Sequence, residues 1–360
     1  MAEFITRQIK LGLSKTAESS YNTPVTGGSN FWGAISTTAG FGIPQLEKLD
    51  DLNKVGTGHE FATYLRNNYW SHSQVQLGDE LNTDQAVVLL ARAFGGDITT
   101  VAATGETGEA LFEHDFEIQS GTSRQLPSST VITSVGRVDS SHQGASFIYP
   151  GMVVDSIQIQ QDSQAAVPQF TADLVGSGKY TQTDATIAAI PDTAFQHYIH
   201  GAAISITFND GTAIDLTDPA DQRVRSWSFS YNNNLRRDDR RPGDPFRVSG
   251  DPFSGAYVNR LLRGARSCQA MLTVSLNENL REFITHRDNV IITSLTITML
   301  GELNGTAQHE LTIVLPKSYM RAVTPSTDND DSTLQLEIFP VKGSGEYVTA
   351  HAVSAIEDLV

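Results

Sequence analysis

The sequence predicts a mainly β fold, an antiparallel sandwich or barrel with one or two short flanking α-helices and long extended arms. Seven segments alternate apolar, often β-branched residues with polar ones at period two, the pattern of half-buried strands. Two Asx-Gly pairs lie between such segments, where they turn one strand back on the next. Helical periodicity is confined to two short stretches.

The elements follow in chain order. Residues 23–82 are rich in Gly, Asn, Thr and Ser and read as a first irregular arm, with Phe31, Trp32, Tyr69 and Trp70 among its aromatics and expected to dock on another surface. In TDQAVVLLARAFGG, Thr83 is placed to cap a helix, Val87, Leu90, Ala91 and Phe94 form one apolar stripe, and Gly95 is placed to end it. Strands are expected over 153–159, 204–208, 224–229, 272–276, 295–299, 311–314 and 334–338, with a second helix of about two turns over 278–285. Hairpins centre on Asp210-Gly211 and Asn304-Gly305, whose Asx-Gly pairs supply positive φ. Residues 232–263 form a second arm, in which Pro242, Pro245 and Pro252 oppose regular strand pairing. Strands 153–161 and 224–232 share a pattern, which a duplication or the two sheets of one sandwich would both produce. One β domain, 1–307, holds both arms, and 308–360 adds strands that complete or decorate it.

Composition narrows the function. The chain has 360 residues, 39% hydrophobic and 18% charged, with no apolar run of roughly 18 residues to span a bilayer and no apolar core of a signal peptide near its start. Its lone Cys268 has no disulfide partner, as expected of a protein folding in a reducing cytoplasm. Charge is segregated. Residues 223–266 hold ten arginines and four aspartates, a net of +6, so the rest of the chain carries −22 of the total −16. An acidic body repels a phosphate backbone and gains no affinity from counterion release. Arginine forks pair with carboxylates, so a basic segment on an acidic body favours association between identical subunits.

Catalytic patterns fail on their spacing. Leu174 to Lys179 lacks the first glycine of a phosphate loop, since Asp173 stands there, and Tyr180 replaces the metal-binding hydroxyl. His286-Arg-Asp288 lacks its partner Asn, because Thr293 occupies that position. His197 and His200 fit one face of a helix but lack a third ligand in sequence, so no metal and no cofactor is expected. Asn304-Gly-Thr306 is explained by its turn, and Asp328 to Asp331 does not match a calcium loop.

Several pieces together resemble the tail tube proteins of long-tailed bacteriophages. IKLGLSKTAESSYNTPV, with Tyr21 and Pro24, is similar to the family's opening segment, although Asn22 stands where the family has Gly. The helical stretch ending at Gly95, the HxF strand with His114 and Phe116, the GMVVDSIQI strand from Gly151 and the FTADLVG strand ending at Gly176 follow in the family's order. The resemblance covers most of residues 9–300. It implies a β-sandwich of the tail tube type, no enzymatic activity, and stacked, hexameric rings around a channel through which DNA passes without specific binding. It further implies a virion tail assembled in the host cytoplasm, no membrane, and contacts with tape measure, tail terminator and distal tail or baseplate proteins. In that family a long loop bridges adjacent rings, which assigns inter-ring contact to Arg236, Arg237, Arg240, Arg241 and Arg247. The alternative is a β-sandwich virion decoration or carbohydrate-binding module presenting Trp32, Tyr69 and Trp70.

Overall fold

Two long strands organise the protein, and each bends at a proline. The structure, a computed structural model, describes residues 9–27, 30–33, 46–50, 65–70, 72–120, 124–135, 146–162, 165–183, 197–209, 213–215, 224–236, 261–275, 280–289, 293–328, 331–341 and 346–359. Strand β9 (Ser146–Gln161) pairs through its first half with β8 (Ser129–Val135) and β11 (Thr181–Thr183), and through its second half with β10 (Gln169–Val175) and β14 (Val224–Asn232). The handover falls at Pro150-Gly151, opposite the single residue Thr130. Proline has no N–H to give the ladder, and Gly151 sits at φ 71°, so the pair makes a β-bulge that turns the strand.

Strand β17 (Ala307–Asp328) repeats the device at Pro316-Lys317. Its first half pairs with β16 (Thr293–Asn304) and β19 (Thr349–Ser354), and its second half with β18 (Asp331–Pro340). The register with β16 shifts between Thr293 and Leu295, again two residues against one. Strands that change sheets at bulges make the corners of a sandwich.

Three antiparallel sheets run out from these corners. The first joins β2 (Phe31–Gly33), β1 (Ile9–Ser14), β8, β9 and β11. The second has the order β5 (Gln74–Glu80), β10, β9, β14, β15 (Ser267–Ser275), β18, β17. The third has the order β6 (Gly95–Ala102), β7 (Phe112–Ile118), β19, β17, β16, β12 (Ile204–Asn209), β13 (Ala213–Asp215). Among the described residues all pairings are antiparallel and the system is not closed into a barrel. The mainly β, antiparallel expectation holds.

Helix α1 (Thr83–Phe94) lies inside this structure. It touches β9 on one side and β7, β17 and β19 on another, and all twelve of its residues are buried. The predicted stripe is present, but Leu89, Val88 and Ala93 are equally buried, so the helix is a core element rather than a surface flank. Each fully buried Leu or Phe here is worth about 1.5–3 kcal/mol of transfer free energy. Asn82, not Thr83, is the N-cap, its side chain accepting from Gln85 N at 3.2 Å. Gly95 ends the helix at φ 61°, as expected. The second helix, α2, runs Leu280–Asp288.

Other expectations are corrected. Residues 23–82 are not one irregular arm. They contain β2, a separate hairpin of β3 (Leu46–Asp50) and β4 (Leu65–Trp70), and β5, which pairs along its whole length with β10. Composition misled because Gly78 and the exposed Gln74 and Gln76 satisfy β5, a strand exposed on one face; Gly78 lies at φ 118° against the backbone of Phe170, where a Cβ would collide. Strands β9 and β14 are antiparallel neighbours within one sheet, not facing sheets. The β16–β17 turn has Gly305 and Thr306 at its centre, with Asn304 still paired to Ala307, so only Gly305 needs positive φ. Asp210-Gly211 lies outside the described residues, although β12 and β13 on either side pair as a hairpin. A boundary near 307 would fall at the first residue of β17, in the middle of the third sheet.

Candidate assembly site

Glu18 holds the N-terminal segment to the sheets. Its carboxylate is buried and accepts from Ser128 Oγ and Thr130 Oγ1, each at 2.7 Å, from Gly151 N at 2.9 Å and from Asn22 N at 3.1 Å. Thr130 and Gly151 are the two sides of the β9 bulge, so the carboxylate occupies the gap that the bulge opens in the ladder. Burial pushes the Glu18 pKa above the usual carboxylate range, while the four donors pull it back. The chain leaving Glu18 reverses through Asn22 at φ 66°, a left-handed position that only Gly and Asn adopt readily. A Cβ on Gly151 would strike Asn22 Oδ1, and one on Gly176 would strike Ser73 Oγ and Met152 Sδ, so both glycines are required by close approach.

Arg92, in the last turn of α1, closes the same site from within. It is 2% exposed and donates Nη2 to Lys15 O at 3.0 Å. Burial lowers its pKa to about 10, with the charge of Glu18 opposing that shift.

Next to this clamp the two ends of the arginine-rich segment are gathered. Arg236 N donates to Leu262 O at 2.8 Å, and Leu262 bridges Gln125 on its other side. Asn233 is fully buried beneath them. Its Nδ2 donates to Ala93 O and Val154 O, each at 3.0 Å, and its backbone bonds Asp155 O and Gly264 N. Asp155 Oδ1 accepts from Leu235 N at 2.9 Å. Leu235 and Leu261 pack with Leu126, Val153, Val175 and Tyr21, which joins the arm base to the opening motif in one apolar cluster. Arg266 donates to Gln119 O and to Phe94 O, the last carbonyl of α1, and Arg263 donates Nε to Gln119 Oε1. Arg225 donates Nε to Ser275 Oγ. Three of the ten arginines therefore serve the subunit itself.

The residues singled out from sequence divide accordingly. Tyr21, half-buried Pro24, Gly95, Gly151, Gly176 and Arg236 come together at the C-terminal end of α1. His114 and Phe116 do not: they face the core from β7, with His114 between Thr100 Oγ1 at 3.0 Å and Ser354 Oγ at 3.3 Å. Phe31 is fully buried against Ile132 in the first sheet, so it docks on its own chain, and Trp32 is half-buried against the main core. Tyr69 and Trp70 lie in β4, paired with Glu47 and Leu46. Arg237, Arg240, Arg241 and Arg247 lie outside the described residues. The signal that sequence reasoning missed is Glu18 itself, an acid amid Thr, Ser and Ala with nothing in its spacing to mark it as buried.

The outer face of β5, β10 and β9 in the second sheet is polar and without cations. Gln158 donates to Gln160 at 2.7 Å, Gln160 to Gln169 at 3.2 Å, and Ser156 and Gln76 both donate to Asp173. Strands β5, β9 and β10 contain no lysine or arginine. A groove of about 610 Å³ lies on this face, lined by Gln160, Gln169, Ser228, Thr273 and Gln335. Trp227 is under its floor at 5% exposure, with Nε1 bonded to Gln161.

The opposite end of α1 carries different chemistry. Thr83 N donates to His197 O at 2.9 Å and Ile199 N to Leu81 O at 3.1 Å, which holds residues 197–199 as an extended segment beside the helix start. His197 Nδ1 lies 2.7 Å from Asp84 Oδ2, its Nε2 lies 3.1 Å from Glu109 Oε2, and its ring stacks on His309 at 3.9 Å and 16°. His200 is exposed and takes no part.

No helix of the described residues is long and apolar enough to cross a membrane. Comparison with protein-family models and with characterised proteins finds no match to this chain.

Proposed function

We propose that the protein is a self-assembling structural subunit of a phage tail tube, non-enzymatic, forming stacked rings around a channel for DNA. The observation that carries this reading is the arm base. Both ends of the most basic segment of the chain are fixed at one rigid, hydrogen-bonded site on an otherwise acidic body. Such a subunit has two unlike, complementary surfaces, and head-to-tail contact between them generates rings or filaments. The amide- and hydroxyl-rich face of β5, β10 and β9 supports the conduit part of the reading, because it offers passing phosphates no cation. Association with tape measure, terminator and baseplate proteins, and residence in a virion tail, belong to the same proposal. Sedimentation velocity over a concentration series tests it. Growth into rings and stacks, suppressed by high salt, is expected; a single monomeric species throughout would refute it.

The groove on the same face favours a second reading, a carbohydrate-binding module, since carboxamides and hydroxyls are sugar-binding groups. Trp227 lies too deep to stack on a sugar ring. Soluble oligosaccharides that shift the amide signals of Gln160 and Gln335 in a spectrum of the protein would establish that reading instead.

A further inference from the structure

We propose that Asp84, His197 and His309 form a binding site for a divalent transition-metal ion of the zinc type. The inference is independent of the tube reading. One ligand atom from each of the three residues lies within 4.8 Å of the others. Their chemistry, two imidazoles and a carboxylate, suits zinc and its neighbours rather than the oxygen-seeking calcium or magnesium. Glu109 Oε2, 3.1 Å from His197 Nε2, sits at the ring nitrogen turned away from Asp84, so it orients the imidazole and the fourth position is left to water. Ligands on one tetrahedral ion stand about 3.3 Å apart at zinc–nitrogen distances near 2.0–2.1 Å, so Asp84 and His197, 2.7 Å apart, part slightly while the wider separations, none above 4.8 Å, close.

His309 is the second observation. The residue is 2% exposed, yet its Nδ1 has no hydrogen-bond partner among the described residues. A buried imidazole nitrogen left without a partner costs free energy that a metal bond would recover. The supporting groups are present too. Asp84 accepts from Ala355 N at 3.1 Å through its other oxygen, which orients the carboxylate as metal ligands are oriented by their surroundings. His197 is fixed through its backbone to Thr83. The ion would tie together the start of α1, residues 197–199 and β17, three pieces of chain that are far apart in sequence, with the turn before β7 held to them through Glu109. No spacing rule finds such a site, because His197 takes its partners from positions 84 and 309 rather than from His200.

The test uses full-length, tag-free protein, stripped with EDTA and titrated calorimetrically with zinc chloride. One ion per chain and a higher thermal unfolding midpoint are expected. His309→Ala should weaken binding by more than about a hundredfold, and Glu109→Gln, at an exposed position that leaves the fold intact, by about tenfold or more. His200→Ala should bind as the wild type does. Absence of stoichiometric binding, or binding unchanged in both His309→Ala and Glu109→Gln, would overturn the proposal.

Discussion

Glu18 and Asp84 are two buried carboxylates near opposite ends of one buried helix, and they are satisfied by opposite means. Glu18 is held by two hydroxyls and two backbone N–H groups, none of which titrates. Asp84 is held by a backbone N–H and by a histidine whose ring also reaches another carboxylate and a second histidine. Neutral hydroxyl and backbone donors fix a geometry once, whereas a histidine partner can exchange its proton for a metal ion. The Glu18 end is therefore suited to anchoring permanent features, the N-terminal segment and the arm base. The Asp84 end is suited to a ligand.

The largest effect should come from removing the fixed carboxylate. Glu18→Ala leaves four donors unpaired and Arg92 without its nearby charge, and is expected to cost about 3–5 kcal/mol by denaturant unfolding. A loss below about 1 kcal/mol would show that the clamp is wet. Gly151→Ala forces a side chain to positive φ against Asn22 and should cost about 2–3 kcal/mol, while Asn22→Gly should stay within about 0.5 kcal/mol. Asp84→Asn keeps an acceptor for Ala355 N and loses only the charge facing His197, which water can reach, so about 1–2 kcal/mol is expected. If it proved as costly as Glu18→Ala, the contrast between the two ends would fail.

A smaller effect concerns His114, fully buried between β6, β7 and the C-terminal segment. Burial, helped by the charge of His351, holds its pKa below the usual value, against the backbone bond near Ile356 and the charge of Asp115. The folded state then binds its proton less readily than the unfolded state, so its contribution is intact above the unfolded pKa of about 6.5 and is lost as pH falls below it. Replacement by Gln should flatten the fall in unfolding midpoint between pH 7 and 5. The smallest effect is at Cys268, whose thiol pKa is pushed far up by burial; a thiol reagent should leave it unmodified until the protein unfolds.

Much of the fold was legible because its strands alternate strictly. Leu295, Ile297 and Met299 face inward on β16 with Thr296 and Thr298 between them, and period two reads this without ambiguity. Strand β5 was missed because Gly78 interrupts the pattern where a neighbouring backbone comes close. The burial of α1 on every side was missed because Asp84, Gln85 and Arg92 look like a solvated face; Asp84 and Arg92 are each buried with a partner that is remote in sequence, His197 and Lys15 respectively. The candidate site was legible in part. Gly151 and Gly176 announce close approaches, and the arginines announce a charged segment, but a cage such as that of Glu18 takes three of its four donors from residues more than a hundred positions away, and these leave no local trace.

Electron microscopy of negatively stained protein, concentrated at moderate salt, tests assembly most directly when the wild type is imaged beside a variant with Arg236, Arg237, Arg240, Arg241 and Arg247 changed to Glu. The account predicts rings stacked into tubes with an axial hole for the wild type, and folded subunits or single rings for the variant. Monomers alone in both samples at every concentration would contradict it.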